Sequence, residues 1–198
     1  MDMRSLFIIL LFVCVGCSTN SQNKKNDSIT YFFNGQKESE GPLIGSVKSG
    51  FWKFYFPDGK LKRSSYYING TKNGLTINYF SNGQVSDSLY YNNDKFAGSV
   101  KFYYPNGQLN FEDYYSKNEL KPHVFKLYYG SGKISQIGEK KNGLMIGKWT
   151  KYYENGRIDY YSHYDSLGKK DSLWNFYDIN GTLIKQEKYK SDSLIQKN

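Results

Sequence analysis

Few side chains in this sequence could do chemistry. The chain of 198 residues has two histidines, His123 and His163, and two cysteines, Cys14 and Cys17. A metal site or an activated nucleophile needs such groups in clusters or at set spacings, and neither histidine has a motif around it. A solvated or hydrogen-bonded role is favoured for both histidines. We therefore predict no catalytic residue, no metal site and no cofactor, and we expect a binding protein, not an enzyme.

The first sixteen residues have the features of a secretory signal. A charged start at Met1–Arg4 precedes an apolar run at Leu6–Val13, which is shorter than the roughly 20 residues that a membrane-spanning helix needs. The sequence Val15-Gly16-Cys17 resembles the lipobox of bacterial lipoproteins, with Cys14 where that family usually has Leu. The resemblance implies cleavage before Cys17, lipidation of Cys17 and a membrane-anchored place in the bacterial cell envelope. The alternative is an ordinary cleaved signal that leaves no lipid.

Cleavage at that point would leave Cys17 as the sole cysteine, so the folded part has no disulfide and must be stabilised by packing. Residues 18–28 are polar and lack apolar periodicity, which is typical of a flexible segment. The predicted organisation is a signal peptide at 1–16, a lipidated cysteine and tether at 17–28, a folded region at 29–190 and a C-terminal tail at 191–198.

One short pattern, a Tyr followed four residues later by a Gly, dominates the folded region. It occurs at Tyr31–Gly35, Tyr55–Gly59, Tyr79–Gly83, Tyr103–Gly107, Tyr128–Gly132, Tyr152–Gly156 and Tyr177–Gly181. Successive glycines are 24, 24, 24, 25, 24 and 25 residues apart, a period typical of repeat proteins. The Gly is usually preceded by Asn or Asp, which is a strong signal for a β-hairpin turn because such turns need positive φ.

The residues around each turn alternate as strands do. Before the turns, aromatic or aliphatic residues alternate with lysines, as in Trp52-Lys53-Phe54. After the turns, an aliphatic residue follows two positions past the Gly, and a Tyr usually follows eight positions past it. A second turn, as at residues 69–74, closes each unit. The sequence predicts an all-β fold, an elongated, twisted antiparallel single sheet of about 24-residue hairpin units in six or seven copies.

The unit YYxNGxL, followed by a return strand and a YxNGxxxG turn that leads into GxW, resembles the MORN repeat and especially its bacterial variant. The resemblance covers roughly residues 31–189 and implies an elongated, curled β-sheet that interacts with membranes or proteins. Some bacterial relatives are described as antitoxin or immunity-like proteins, which would make the partner a toxin. Lys37, Lys140 and His123 depart from the pattern, so whether the first and fourth copies are complete is left open.

The alternation places aromatic residues on one face of the predicted sheet and basic residues on the other. Tyrosine is common in protein contact surfaces, and we predict partner binding through the repeated tyrosines. These candidate partner-binding residues are Tyr55, Tyr79, Tyr103, Tyr128, Tyr152 and Tyr177. The three tryptophans share a register and are expected to pack the repeat interior.

The net charge of +9 permits a second hypothesis. A structural or membrane-associating protein could contact anionic lipids through the basic face, and that binding should weaken with salt. Nucleic acid is not expected as a partner, because an exported protein seldom meets it. The leading hypothesis is a lipoprotein that displays a β-repeat surface to an unidentified protein partner.

Overall fold

A computed structural model describes residues 25–115 and 122–198. Within these residues all regular structure is β-strand, and the strands form a single open antiparallel sheet. The strands are β1 (Lys25–Tyr31), β2 (Lys37–Ile44), β3 (Val47–Lys48), β4 (Gly50–Tyr55), β5 (Leu61–Ile68), β6 (Thr71–Tyr79), β7 (Val85–Asn92), β8 (Lys95–Tyr103), β9 (Leu109–Tyr115), β10 (His123–Tyr128), β11 (Ile134–Lys141), β12 (Leu144–Tyr152), β13 (Ile158–Tyr164), β14 (Ser172–Tyr177), β15 (Leu183–Lys190) and β16 (Ser193–Lys197).

The strands follow one another across the sheet in sequence order, except that β3 pairs with β2 beside the path from β2 to β4. Fifteen strands on this path, spaced by about 4.8 Å, give a sheet about 67 Å long. The predicted fold class, an elongated antiparallel sheet of hairpins, is confirmed. The described residues contain no helix that could span a membrane.

The seven Tyr-x-x-x-Gly turns close seven hairpins along one long edge of the sheet, which we call the first edge. In each turn the Gly amide donates to the carbonyl three residues earlier, as from Gly59 to Phe56, and the Gly has φ between 81° and 91°. The residue before the Gly has no positive φ. These are type I turns followed by a left-handed Gly, the usual three-residue hairpin loop. The first and fourth hairpins, β1–β2 and β8–β9, pair along their lengths like the others.

At the opposite long edge, the second edge, four connections use a different turn, whereas the β13–β14 connection repeats the first-edge geometry, with the Gly168 amide donating to the Asp165 carbonyl. The pairs Asn69–Gly70, Asn93–Asp94, Asn142–Gly143 and Ser191–Asp192 have positive φ at both residues, which is the two-residue type I′ turn. Gly74, which the sequence pattern placed in such a turn, lies instead within β6. There one residue of β5 faces three residues of β6, and Gly74 adopts φ 80° in the resulting bulge. The second glycine of the repeat therefore bends a strand.

Two predicted boundaries are wrong. β1 begins at Lys25, so residues 25–28 belong to the sheet and not to a tether. β16 pairs with β15 over residues that were expected to form a tail. The predicted signal peptide and Cys17 lie outside the described residues. The sheet thus extends beyond both predicted ends of the repeat region.

Tryptophans provide much of the core of this single-layer sheet. Trp52 and Trp149 are 2% and 1% exposed although the described residues form no second layer over them. Each indole lies across the neighbouring strand at a glycine, Gly41 or Gly138, where a Cβ would overlap the ring. The Trp149 indole nitrogen donates to the carbonyls of Glu139 and Ile146, where the sheet ladder is interrupted. Packing onto bare backbone buries a large ring without a second sheet, as predicted for the tryptophans.

The first edge is tied together from turn to turn. Where the turn contains Asn, its amide donates to a carbonyl of the next turn, and where it contains Asp58 or Ser131, a lysine ammonium donates instead. The six links are Asn34 to Pro57, Lys60 to Ser81, Asn82 to Pro105, Asn106 to Gly130, Lys133 to Glu154, and Asn155 to Ile179. Each link lies in a loop that strand pairing alone would leave free, so the links help to fix the spacing of successive hairpins.

Candidate binding surface

Six of the repeated tyrosines lie in one row on one face of the sheet. Each is the last residue of the strand that precedes a first-edge turn, and each is half-buried. Side chains alternate along a strand, and each tyrosine lies three residues after the position that Trp52, Trp149 or Trp174 fills, so it points to the opposite face. We call the two sides the tyrosine face and the tryptophan face. The row contains Tyr55, Tyr79, Tyr103, Tyr128, Tyr152 and Tyr177.

Most hydroxyls of this row are free within the described part of the chain. Tyr55 donates to the Glu40 carboxylate. Burial, together with that hydrogen bond and the negative charge of Glu40, raises the pKa of Tyr55 to about 12. The other five hydroxyls make no hydrogen bond to a described residue. A row of half-buried rings with free hydroxyls offers both apolar contact and hydrogen bonds to a partner.

A second set of tyrosines fixes the row in place. Tyr104 follows Tyr103 directly, and its hydroxyl donates to the Tyr128 carbonyl at 2.9 Å. The Tyr129 and Tyr153 hydroxyls make the same bond to the carbonyls of the next row members, at 2.5 and 2.8 Å. Adjacent tyrosines therefore have different roles, because one ties two repeats together while the other keeps a free hydroxyl on the tyrosine face.

Exposed apolar side chains extend the tyrosine face toward the second edge. Phe51, Leu75, Tyr90, Tyr114 and Val124 are between 46% and 72% exposed. Between Tyr90 and Tyr114 a shallow pocket of about 420 Å³ opens over Ala97, Gly98 and Ser99. Ser99 stands where the preceding repeat has Leu75, so the missing side chain creates the pocket. These five side chains lie on β4, β6, β7, β9 and β10, and Leu173 on β14 fills the same repeat position as Phe51.

The predicted division into an aromatic face and a basic face is wrong. The tyrosine face carries lysines between its rings, and Lys101 and Lys126 flank Glu112 there at 3.8 and 3.4 Å. The tryptophan face also carries lysines, as where the Lys170 ammonium lies 4.8 Å from the Trp174 ring centre. Rings occupy both faces, so many lysines share a face with rings and lie over them, which strand alternation alone did not show.

The largest departure from the repeat lies on the tryptophan face around Asp113, which is 8% exposed. In its row the return strands elsewhere carry Gly, Ser, Leu or Glu, as at Gly41 and Ser65. The Asp113 carboxylate accepts hydrogen bonds from His123 at 2.6 Å and from Lys140 at 2.9 Å. Burial raises the pKa of Asp113, but these hydrogen bonds and one from the Tyr114 amide outweigh it and hold the pKa below its usual range.

The sequence pattern had marked His123 and Lys140 as departures but had not connected them to Asp113. The structure shows that these three departures belong together. Asp113 stands where other repeats often have a small residue, His123 where most have Gly and Lys140 where most have Tyr, and the side chains of His123 and Lys140 both bond to the Asp113 carboxylate. His123 is the first residue of β10. His163 lies in β13. Among the described residues no cluster of three or more His, Cys, Asp or Glu could hold a metal ion.

Comparison with known proteins supports the repeat assignment. Three segments, residues 50–69, 97–117 and 145–166, match the family model described as MORN repeat variant. They coincide with the second, fourth and sixth hairpins, and the hairpins between them have the same turns and pairing. A search of the curated proteins gave no match. The chain thus contains all-β repeats of a type that is associated with membrane or protein binding.

Proposed function

We propose that the protein is a lipid-anchored binding protein of the bacterial cell envelope whose tyrosine face holds a protein partner. The observation that carries the proposal is the row of six half-buried tyrosines, of which only Tyr55 uses its hydroxyl within the described sheet. Tyrosine supplies a large contact area at a low cost in conformational entropy, which is why it is frequent in interaction hot spots. The exposed apolar residues beside the row enlarge the same surface.

The size of the face fits a protein partner. Adjacent members of the row are two strands apart, about 9.6 Å, so the six rings extend over about 48 Å. A stable protein interface buries about 800 Å² on each side, which a face of this length can provide. The mixed charges between the rings, with Glu112 beside Lys101 and Lys126, suit a partner with its own pattern of charges better than a uniformly anionic surface.

The test is photo-cross-linking in intact cells at two adjacent positions. A photoreactive phenylalanine analogue replaces either Tyr103 on the tyrosine face or Phe102 on the tryptophan face, so that each substitution exchanges one ring for another. We expect a discrete cross-linked protein from position 103 and none from position 102. Equal cross-linking from both positions, or cross-linking to lipid alone, would contradict the proposal. The lipid result would favour the anionic-lipid alternative.

The anchor is tested separately by metabolic labelling with a fatty acid that carries a chemical handle. Cys17 and Cys14 provide a matched pair, because they are the two cysteines of the chain. We expect label on the wild-type chain and on the Cys14→Ala variant, and none on the Cys17→Ala variant. Label that persists after Cys17→Ala would contradict lipidation at this residue.

We further propose that the partner is a toxin that the protein neutralises as an antitoxin or immunity-like protein. The resemblance of the repeat unit to bacterial variants of that type supports this form of the proposal. Expression of the cross-linked partner alone should then arrest growth, and co-expression of this chain should restore it. A partner that does not impair growth when expressed alone would contradict the antitoxin role and leave partner binding intact.

A further inference from the structure

A cluster of three cations occupies the tryptophan face in the N-terminal part of the sheet. Its members, Lys48 on β3, Arg63 on β5 and Lys72 on β6, are half-buried and lie against aromatic rings. The Lys48 ammonium is 4.7 Å from the ring centres of Trp52 and Phe54, the Arg63 guanidinium carbon is 3.9 Å from that of Phe54, and the Lys72 ammonium is 4.8 Å from that of Tyr91. We call this group the cation cluster.

No residue of the cation cluster forms an ion pair within the described part of the chain. Other ring-bound lysines of the tryptophan face do have carboxylate partners, although Lys170 over Trp174 has no ion pair among the described residues either. Lys140 pairs with Asp113 at 2.9 Å, and Lys185 pairs with Glu187 at 2.9 Å. The three cations therefore have no ion-paired carboxylate among the described residues, although Asp94 lies beside Lys72 and accepts a hydrogen bond from its backbone amide at 2.8 Å.

The acidic residue in the same row as Arg63 is already engaged. Asp87 lies two strands away, and its oxygens accept hydrogen bonds from the Asn78 amide at 2.5 Å and from the Ser86 hydroxyl at 2.8 Å. Arg63 in turn makes no hydrogen bond to a described residue, and its Nε is buried without a partner. A buried donor without an acceptor is costly, and no described residue offsets the desolvation of this guanidinium.

The cations also act on one another. Burial and the nearby Arg63 charge lower the pKa of Lys48. Cation–π contact with the rings offsets part of the cost of burying these charges, but it supplies no counter-charge. The arrangement is what an anion site needs: desolvated donors, fixed by rings and directed at no internal acceptor.

We propose that the cation cluster is a docking site for an acidic segment of a protein, with carboxylates that engage Arg63, Lys48 and Lys72 together. The guanidinium fork matches a carboxylate with two parallel hydrogen bonds. Lys48 and Arg63 lie on the same Phe54 ring, whereas Lys72 faces Tyr67, four residues along β5 from Arg63, so the backbone positions of Arg63 and Lys72 are about 14 Å apart. An extended peptide of about four residues covers that span, whereas one phosphate group cannot reach all three. The flanking rings offer contact to the apolar carbons of such a segment.

This inference goes beyond the proposed function, because it concerns the tryptophan face and uses no member of the tyrosine row. The two proposals can therefore fail independently. A cross-linking result at Tyr103 says nothing about the cation cluster, and a peptide-binding result at Arg63 says nothing about the tyrosine row.

The experiment is a titration of the isotope-labelled full-length chain with an acetylated and amidated tetraglutamate peptide, followed by nuclear magnetic resonance. The described residues contain two arginines, Arg63 and Arg157, so their side-chain Nε signals can be assigned by substitution. Arg157 lies at the first edge and donates to the Asn180 carbonyl at 2.6 Å. We expect the Arg63 signal and the Trp52 indole signal to shift on binding, and the Arg157 signal to remain unchanged.

The peptide affinities of substituted chains, and the binding of competing ligands, decide whether the proposal holds. Arg63→Gln and Lys48→Met should each lower the peptide affinity at least tenfold, while the matched Arg157→Gln should leave it unchanged. A tetraglutamine peptide should not bind, and tenfold more salt should weaken tetraglutamate strongly. Because Arg63→Gln could disturb packing, its unfolding curve is compared with that of Lys48→Met. Equal affinity in all variants, or tighter binding of inorganic phosphate or of vesicles with anionic lipid than of the peptide, would overturn the proposal.

Discussion

Replacing Asp113 with Asn removes one negative charge from the tryptophan face with almost no change in side-chain size. The carboxylate is 8% exposed and accepts hydrogen bonds from His123, Lys140 and the Tyr114 amide. An Asn side chain can still accept from one of these groups, but its own amide would face a donor. Two charge-assisted hydrogen bonds are therefore lost or weakened.

The magnitude follows from the burial of the partners. A hydrogen bond to a charged group contributes about 1.5 to 3 kcal/mol when both partners are buried. The side chains of His123 and Lys140 are 24% and 22% exposed, so water replaces part of what they lose. We expect Asp113→Asn to lower the free energy of unfolding by about 2 kcal/mol, or about 30-fold in the equilibrium constant.

The loss of stability in Asp113→Asn should also depend on pH, in a direction that follows from the pKa of Asp113. The pKa of Asp113 is held below its usual value in the folded protein. Its stabilising contribution is complete above the unfolded pKa of about 3.9 and is lost as the pH falls through the folded value. The difference between wild type and Asp113→Asn should thus be full at about pH 7 and clearly smaller at about pH 3.

The assay is urea unfolding of the full-length chain, followed by tryptophan fluorescence at both pH values. Glu112→Gln is the matched control, since it removes the same charge one residue away on the tyrosine face. Glu112 pairs with Lys126 at 3.4 Å in a more exposed position, so its loss should change stability by less than about 0.5 kcal/mol. A difference for Asp113→Asn that is the same at both pH values, or no larger than the control, would refute the reasoning.

Three further predictions concern the scaffold and the tyrosine row. Gly138→Ala should lower the free energy of unfolding by about 3 kcal/mol in urea because its Cβ would overlap the Trp149 ring, whereas Gly130→Ala, with open space around it, should change it by less than about 0.5 kcal/mol. Asn106→Asp keeps the turn acceptor but loses the amide bond to the Gly130 carbonyl, so the loss should be about 1 kcal/mol, measured by thermal unfolding at neutral pH. Tyr55, with a pKa of about 12, should be among the last phenols to ionise in an absorbance titration, and Tyr55→Phe should remove amplitude from that last step.

The hairpins were predictable from sequence because turn chemistry is local. A Gly in the left-handed region defines each first-edge turn, and its spacing of 24 or 25 residues gives the number of hairpins. The prediction that the aromatic residues share one face failed. Tyr55 follows Trp52 by three residues, an odd number, so the two rings point to opposite faces.

Features that depend on contacts between hairpins were not predictable in the same way. The packing of Trp149 on Gly138 requires the pairing of β11 with β12, and no local pattern shows which glycine faces which ring. The trio around Asp113 joins residues that are 10 and 27 positions apart. The sequence signal was present as departures at His123 and Lys140, but only the register of the strands relates them to one carboxylate.

The central claim, that the tyrosine row is the contact surface for a partner, is tested most directly by two triple substitutions with the partner identified by cross-linking. One replaces Tyr103, Tyr128 and Tyr152 with Phe, which removes hydroxyls that no described residue uses. The other makes the same change at the adjacent Tyr104, Tyr129 and Tyr153, whose hydroxyls tie the repeats together.

The measurement is partner affinity and thermal unfolding for both triple variants. The account predicts that the first variant loses at least tenfold in affinity with an unchanged unfolding temperature, because free hydroxyls contribute to binding alone. The second should unfold at a lower temperature and bind the partner normally while it is folded. Unchanged affinity in the first variant, or an equal loss of affinity in both, would contradict the claim that the tyrosine row holds the partner.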